Sequence, residues 1–300
     1  MAHRLTVLAV LGLSLSAAAT PLAERQATSI TALSQAQIDF FTPYSYYAAA
    51  AYCPPQDTLA WNCTVDCLAN PGFKPLASGG DGNGVQYWYV GYDPALKTVI
   101  VGHQGTGPDI LAILTDANFF MESLNATLFP GIPAGIQAHS GFANEHAKTA
   151  ETVLANVKRA LSITGFNKVT MVGHSLGAAI SLLDAAYLPL HLTGVKFQSI
   201  LYGMPRVGNQ AFAEFVSVGN TITHVNNRED LVPILPGRFL GYRHPTGEIH
   251  IQDSGAWLAC PGMDNNSTLC TTGDVPTLLQ GNTSDHTGPY NGILIHCVLS

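Results

Sequence analysis

Three residues far apart in the chain carry the side chains of a nucleophile, a base and an orienting acid: Ser175, His286 and Asp230. The serine stands in Gly173-His-Ser-Leu-Gly177, a G-x-S-x-G pattern. A serine hydroxyl is inert until a base takes its proton, so position decides whether it can react. Small residues two before and two after it let a strand and a helix close around a sharp, strained turn. That turn pushes the hydroxyl out of the sheet. The N-terminus of the following helix offers free N–H groups and the positive end of a dipole to a developing anion, which makes the Leu176 amide an expected oxyanion donor. A glycine-rich turn that merely packs strand on helix is the plainer alternative. The apolar strand before this turn and the small-residue helix after it weigh against that.

Where the nucleophile comes first, the known chain order for such a site is Ser, then Asp or Glu, then His. Asp230 sits in Asn226-Asn-Arg-Glu-Asp-Leu-Val-Pro-Ile-Leu-Pro236, just past an expected strand and on the sheet edge that carries the serine. Glu229 is its nearest rival and Asp253 a more distant one. His286, in Ser284-Asp-His-Thr-Gly-Pro-Tyr290, comes after every expected strand, in a loop that can reach over the nucleophile. His224 falls inside a strand and reads as a core residue. His296, in an apolar run beside Cys297, reads as structural.

The elements that must position these residues alternate. Strands are expected over 85–92, 98–102, 168–173, 197–203 and 221–226, and helices over 35–52, 145–164, 175–188 and 209–216. This alternation predicts an α/β fold with a mostly parallel central sheet covered by helices on both faces. Strands buried on both faces need continuous apolar runs, and Lys168–Gly173 is one. A few antiparallel strands are expected near 85–102 and 239–251.

Composition bounds the rest. The chain has 300 residues, 47% of them hydrophobic and only 11% charged, with a net charge of −7. Disorder needs the opposite balance. An acidic chain without a basic cluster offers no footprint for nucleic acid. No stretch after residue 30 reaches the roughly 20 unbroken apolar residues of a membrane span. Residues 1–19 read as a secretory signal peptide: Arg4, an apolar run, then Ala17-Ala-Ala19. A short pro-segment to about residue 27 is compatible with this, and residues 28–300 are expected to form a single domain. In an oxidising compartment the six cysteines become disulfide candidates. They allow fifteen pairings. The local pairs Cys63–Cys67 and Cys260–Cys270 would staple loops, and Cys53–Cys297 would tie the two ends together. A zinc site is the competing reading, but the spacing is not that of a finger. Asn62, Asn125, Asn265, Asn266 and Asn282 lie in glycosylation tripeptides, those at 265 and 266 overlapping.

On these motifs the chain resembles the fungal class 3 lipases, secreted α/β-hydrolases that include triacylglycerol lipases and feruloyl esterases. The resemblance runs from about Phe41 to the C-terminus. GHSLGAA is similar to the family's nucleophile segment, and Asn227 to Pro236 matches its N-x-x-D-x-V-P-x-L-P acid motif. Asp285-His286 resembles the D-H-x-x-Y histidine motif, with Tyr290 one residue further on. The six cysteines resemble the family's three disulfides. Val99 to Thr106 occupies the place of the first oxyanion donor, with Gln104 where the family usually has arginine. The resemblance implies that Thr106 gives its backbone N–H, and its hydroxyl as well. Ala138-His-Ser-Gly-Phe142 is similar to a V-H-x-G-F segment, placing His139 near the site as a structural or substrate-lining residue.

After Thr106, Ile110, Leu111, Ile113 and Leu114 fall on one face of a short helix. In the family this place carries a mobile lid. An ordinary amphipathic helix packed on the core is the alternative. The expectation is therefore a secreted, extracellular serine hydrolase acting on carboxylic esters through an acyl-enzyme, most simply a triacylglycerol lipase. It would work as a monomer on lipid ester at an oil–water interface, with no nucleic-acid partner, no integral membrane insertion, no cofactor and no metal. A feruloyl or other carboxylesterase on the same triad is the alternative. A catalytically silent hydrolase fold used for binding fits poorly with an intact Ser175, Asp230 and His286.

Overall fold

A computed structural model describes residues 29–106 and 120–298. The expected signal peptide and the Ile110–Leu114 face lie outside the described residues. In chain order the strands are β1 (Thr31–Ala32), β2 (Lys74–Gly79), β3 (Trp88–Asp93), β4 (Thr98–His103), β5 (Met121–Ser123), β6 (Gln137–His139) and β7 (Lys168–His174). They continue with β8 (Lys196–Tyr202), β9 (Gly208–Asn209), β10 (Asn220–Asn227), β11 (Tyr242–Arg243), β12 (Glu248–Ile251) and β13 (Trp257–Cys260).

Nine strands form one sheet in the order β1-β13-β12-β10-β8-β7-β4-β3-β2. The five central strands, from β12 through β10, β8 and β7 to β4, are mutually parallel. Antiparallel strands close both edges. The central strands are apolar because both faces are covered. Val99, Val101, Val169 and Met171 point into one core, beneath the helices Ala150–Thr164 and Leu176–His191. Ile100, Val172, Ile200 and Val225 point into the other, packed with Tyr44 and Tyr47 of the helix Thr42–Ala50. Alternate residues thus serve different cores, as the two-residue period of a strand requires. Every residue of the helix after β7 is buried from Leu176 to Leu188.

Several expectations change in detail. The single helix expected over 35–52 is two, Gln35–Asp39 and Thr42–Ala50, the second started by Pro43 in its first turn. The helix expected over 145–164 is also two, Ser140–Ala147 and Ala150–Thr164. Strand β12, in the region expected to be antiparallel, runs parallel to β10 and antiparallel only to β13. Strand β11 leaves the main sheet and joins a small antiparallel sheet in the order β11-β9-β6-β5. The three disulfides are Cys53–Cys297, Cys63–Cys67 and Cys260–Cys270, as the local-pair reading expected. Asn62, Asn125, Asn266 and Asn282 are exposed, whereas Asn265 is half-buried and its Nδ2 donates to the Pro261 carbonyl at 2.9 Å.

Candidate active site

The parallel strands deliver their C-terminal ends to one edge of the sheet, and the chemistry-bearing residues collect there. Ser175 comes directly after β7, with φ 58° and ψ −128°. Backbone in that region costs a non-glycine residue about 1–3 kcal/mol. The neighbouring glycines make the turn sterically possible. A Cβ on Gly173 would lie 2.3 Å from the Gly177 carbonyl oxygen, and one on Gly177 would lie 2.1 Å from that of His103. Both approaches are closer than any side chain tolerates, so strand β4, strand β7 and the helix meet here only without side chains. The Ser175 N–H donates to the Tyr202 carbonyl at 3.0 Å, pinning the turn to β8. The Ser175 Oγ is buried and has no hydrogen-bond partner among the described residues.

Asp230 lies just past β10 and is wholly buried. Its Oδ1 accepts from the Val232 N–H at 2.9 Å, and its Oδ2 bonds His286 Nδ1 at 2.8 Å. A carboxylate at Nδ1 takes the Nδ1–H and leaves Nε2 as a bare acceptor. That Nε2 is buried and unpartnered among the described residues. The two rival acids are elsewhere: Glu229 and Asp253 are exposed. The histidine loop is tied to the acid strand by two bonds. Asn227 Nδ2 donates to the Asp285 carbonyl at 2.9 Å, and the Asn282 N–H to that of Glu229 at 2.7 Å. The asparagine that opens the acid motif therefore sets the distance between acid and base.

On the other side of the serine, the loop after β4 brings Gly105 against Ser175; a Cβ on Gly105 would lie 3.0 Å from that of the serine. Thr106 comes next, with a buried Oγ1 that has no partner among the described residues. Leu176 opens the helix, where the first N–H groups have no intrahelical acceptor. Both expected oxyanion donors thus flank the serine. Gln104 fills the arginine's place differently: its backbone N–H donates to the Tyr87 carbonyl, and its Oε1 accepts from the Tyr87 N–H, each at 2.8 Å. It clamps the loop to the strand hairpin without a charge.

The family model "Lipase (class 3)" matches residues 100–240. A secreted mono- and diacylglycerol lipase of Malassezia globosa is 31% identical over 269 residues, covering 84% of this chain and 81% of that protein. The chain belongs to the class 3 lipase family. Among solved structures, lipase II from Rhizopus niveus superposes with a TM-score of 0.78 at 25% identity, covering 90% of this chain and 100% of that one. The triacylglyceride lipase of Rhizomucor miehei does so with a TM-score of 0.77 at 26% identity, covering 90% and 100%. These neighbours share the α/β-hydrolase fold.

The candidate site is braced by a hydrogen-bonded chain that motif reading missed. Tyr52, just past the helix Thr42–Ala50, places its hydroxyl 2.7 Å from His174 Nδ1 and accepts from the Gly105 N–H. His174 Nε2 lies 2.7 Å from the His286 carbonyl and donates to it, so the tyrosine hydroxyl must be the donor at Nδ1. Burial, with His286 alongside, pushes the His174 pKa well below its ordinary value and keeps the ring neutral. Tyr290 donates to the same carbonyl at 3.1 Å. One connected set of bonds thus joins the oxyanion loop, the residue before the serine and the histidine loop. Gly203, at the end of β8, is part of the same fit; a Cβ there would press on Tyr290, Asp230 and His286 at 2.9–3.0 Å. The signal for Tyr52 was its hydroxyl in an otherwise small-residue stretch, but nothing in the sequence aims it at His174.

Other histidines among the described residues lie in the core or at the surface. His224 is buried in β10, with Nε2 on the Pro245 carbonyl at 3.2 Å, a core residue as expected. His139 is buried and stacks on Phe142 with ring centroids 4.2 Å apart; burial lowers its pKa to about 4. His296 is exposed rather than built into the core, because only alternate residues of its apolar run, Ile293 and Ile295, turn inward. The groups of three side chains with metal-like proximity, Cys53/Asp66/Cys297 and Glu248/Cys260/Cys270, owe it to disulfides, whose sulfurs are not thiolates.

Proposed function

We propose that Ser175, His286 and Asp230 form the triad of a secreted acylglycerol hydrolase that works through an acyl-enzyme. The observation that carries the reading is the juxtaposition at the sheet edge. A strained serine with an unpartnered hydroxyl follows His174, whose ring lies 4.4 Å from that of a histidine with its Nδ1 held by a buried carboxylate and its Nε2 bare. His286 Nε2 takes the Ser175 proton as Oγ attacks the ester carbonyl carbon. The carbonyl oxygen becomes an oxyanion between the Thr106 and Leu176 amides, where each such donor is worth about 3–4 kcal/mol. His286 passes its proton to the departing alcohol oxygen, leaving an acyl ester on Ser175. Water then attacks that ester by the same steps and restores the hydroxyl. Asp230 holds the imidazole and stabilises its cation without taking the proton. Apo triads often hold serine and histidine too loosely for a hydrogen bond, and both atoms here are unpartnered among the described residues.

Acylglycerol esters are the substrate class that the relatives' names support. A signal peptide over residues 1–19, a lipase domain over 28–300, export and a monomeric state complete the proposal, with Ile110, Leu111, Ile113 and Leu114 meeting acyl chains. Among the described residues no helix is long and apolar enough to cross a membrane. Hydrolysis of triolein, tributyrin and methyl ferulate by one preparation tests the reading. The glycerides should be cleaved faster, with activity rising above the solubility limit, and Ser175→Ala should abolish cleavage while keeping the circular dichroism of the native fold. Cleavage by Ser175→Ala, or a preference for methyl ferulate, would overturn it.

A further inference from the structure

A cavity of about 960 Å³ opens between two turns of 3-10 helix, Arg238–Leu240 and Leu278–Gln280. Among the described residues that line it are Ile234, Leu235 and Val275, but neither Ser175 nor His286. Its rim is unusual for a water-facing surface. Phe239 is 89% exposed and Leu279 97%, and Leu240 and Leu278 beside them are also exposed. Single exposed apolar side chains are ordinary, but four grouped around one apolar opening mark a binding face.

The walls are held open from below. Arg206 is buried, and its Nε donates to Asp264 Oδ1 at 2.7 Å. Its Nη1 donates to the Ile234 and Pro236 carbonyls, and its Nη2 to Thr272 Oγ1 at 3.3 Å. One side chain therefore pins the 234–236 wall to the 264–272 wall, so the cavity is built rather than a gap between loops.

Charge identifies the occupant. The chain carries −7 overall, yet the mouth is positive. Arg238 lines the cavity, and Arg243 donates to the Arg238 and Tyr242 carbonyls at 3.3 and 2.9 Å. Neither guanidinium has an ion-pair partner among the described residues. Both lie close enough to Arg206 for their charge to disfavour its own. An apolar hole, an apolar rim and the unpaired Arg238 in its lining, with Arg243 bonded to it, fit one chemistry, a lipid with acyl chains and an anionic headgroup.

We propose that this face docks the protein on lipid surfaces that carry anionic phospholipid: Phe239 and Leu279 enter the acyl layer, the cavity accepts one acyl chain, and Arg238 binds a headgroup phosphate. The cavity lining holds neither Ser175 nor His286, and the proposal rests on the lipolytic reading only for the kind of surface met. The test uses vesicles of ether-linked phospholipid, which cannot be hydrolysed, so a failure of docking is distinct from a failure of the triad. Partitioning of the full chain is measured on ether phosphatidylcholine alone and mixed with ether phosphatidylglycerol. Wild type should prefer the mixture, and added salt should erase that preference. Arg238→Gln should cut the affinity for the mixture about fivefold, the equivalent of about 1 kcal/mol for a basic residue at an anionic surface, and leave neutral vesicles unaffected. Phe239→Ser with Leu279→Ser should lower partitioning about tenfold or more on both. Both positions are exposed, so hydrolysis of a water-soluble short-chain ester, which does not meet this face, reports that the variants are folded. Equal binding to the two vesicle types by wild type, an unchanged preference in Arg238→Gln, or wild-type partitioning by the double serine variant would overturn the proposal.

Discussion

Among the described residues two fully buried aspartates hydrogen-bond histidine rings, and the two constellations differ in what surrounds them. In the first, Asp230 Oδ2 holds His286 Nδ1 at 2.8 Å. In the second, Asp184, nine residues after Ser175 on the helix Leu176–His191, holds two rings, His103 Nε2 at 2.7 Å and His146 Nε2 at 3.0 Å. Both carboxylates are buried, and both constellations leave an imidazole nitrogen without a partner among the described residues: His286 Nε2 in one, His146 Nδ1 in the other. An unsatisfied nitrogen is therefore no mark of catalysis by itself. The difference lies in what stands near it. The His286 ring lies 4.4 Å from that of His174, the residue before Ser175. His146 is packed among the rings of Tyr187 and Phe129, at 5.3 and 5.6 Å, and neither bonds its Nδ1. The first constellation is the one we propose for the reaction, and the second is enclosed by a core.

The largest test of this contrast is Asp230→Asn. An amide keeps the shape but stops holding the required tautomer and cannot stabilise the imidazolium, so kcat should fall about 10⁴-fold with little change in unfolding midpoint. Asp184→Asn should do the reverse. Breaking a buried charge-assisted set destabilises by about 3 kcal/mol, read from urea unfolding, while kcat on a soluble ester stays within a few-fold. Acid sharpens the difference further. Burial alone would raise the Asp184 pKa, but the pull of His103 and the bonds from both rings outweigh it and hold the value at about 2, below the ordinary 3.8. A depressed carboxylate stabilises the fold above its unfolded pKa, and that contribution is lost as pH falls through the folded one. Wild type should therefore lose about 2–3 kcal/mol more than Asp184→Asn between about pH 5 and pH 1. Parallel acid titrations of the two would contradict the assignment of Asp184 to the core.

The proposed triad left motifs in the sequence and the Asp184 set did not, for a physical reason. Glycines at 173 and 177 are demanded by contacts of 2.1–2.3 Å, so a motif survives in the residue types. Asn227 and Asp230 are demanded by bonds to one loop and leave a motif too. Asp184, His103 and His146 come from a helix, a strand and another helix, with Asp184 lying 38 residues from His146 and 81 from His103, and their meeting depends on how the layers pack. The same holds for Tyr52, whose aim is set where the helix Thr42–Ala50 ends. The central strands were readable from their apolar runs. The edges were not: β1 is two residues long, and β2 carries Pro75, which an edge strand accepts and a central one does not. The apparent 35–52 and 145–164 helices broke because an apolar period does not show where a chain turns. At Lys148 and Thr149 the backbone N–H groups bond back three residues, to Glu145 and His146, and the helix stops.

A smaller test asks whether the brace around the triad positions or merely packs. Tyr52→Phe removes the donor to His174 Nδ1 and the acceptor for the Gly105 N–H together. With a neutral, re-orientable His174 beneath the His286 carbonyl, kcat should drop about tenfold with KM unchanged, and His174→Asn in the same chain should add little, since both act on one set of bonds. Additive losses would show that Tyr52 serves the oxyanion loop alone.

The smallest expected effect is the one most able to collapse the contrast between the two constellations. In His146→Phe the carboxylate of Asp184 keeps its shorter bond, to His103 at 2.7 Å, and loses the longer one. The substituted ring remains among Phe129 and Tyr187 and no longer buries an unpartnered nitrogen. The lost hydrogen bond and the relieved desolvation oppose each other, each of order 1–2 kcal/mol. Stability should therefore shift by about 1 kcal/mol, less than for Asp184→Asn, and kcat should not move. If kcat fell tenfold or more with the unfolding midpoint intact, the effect would have to travel through His103, whose carbonyl meets the bare Gly177 beside the serine. The buried constellation would then be a support of the oxyanion loop rather than a piece of the core.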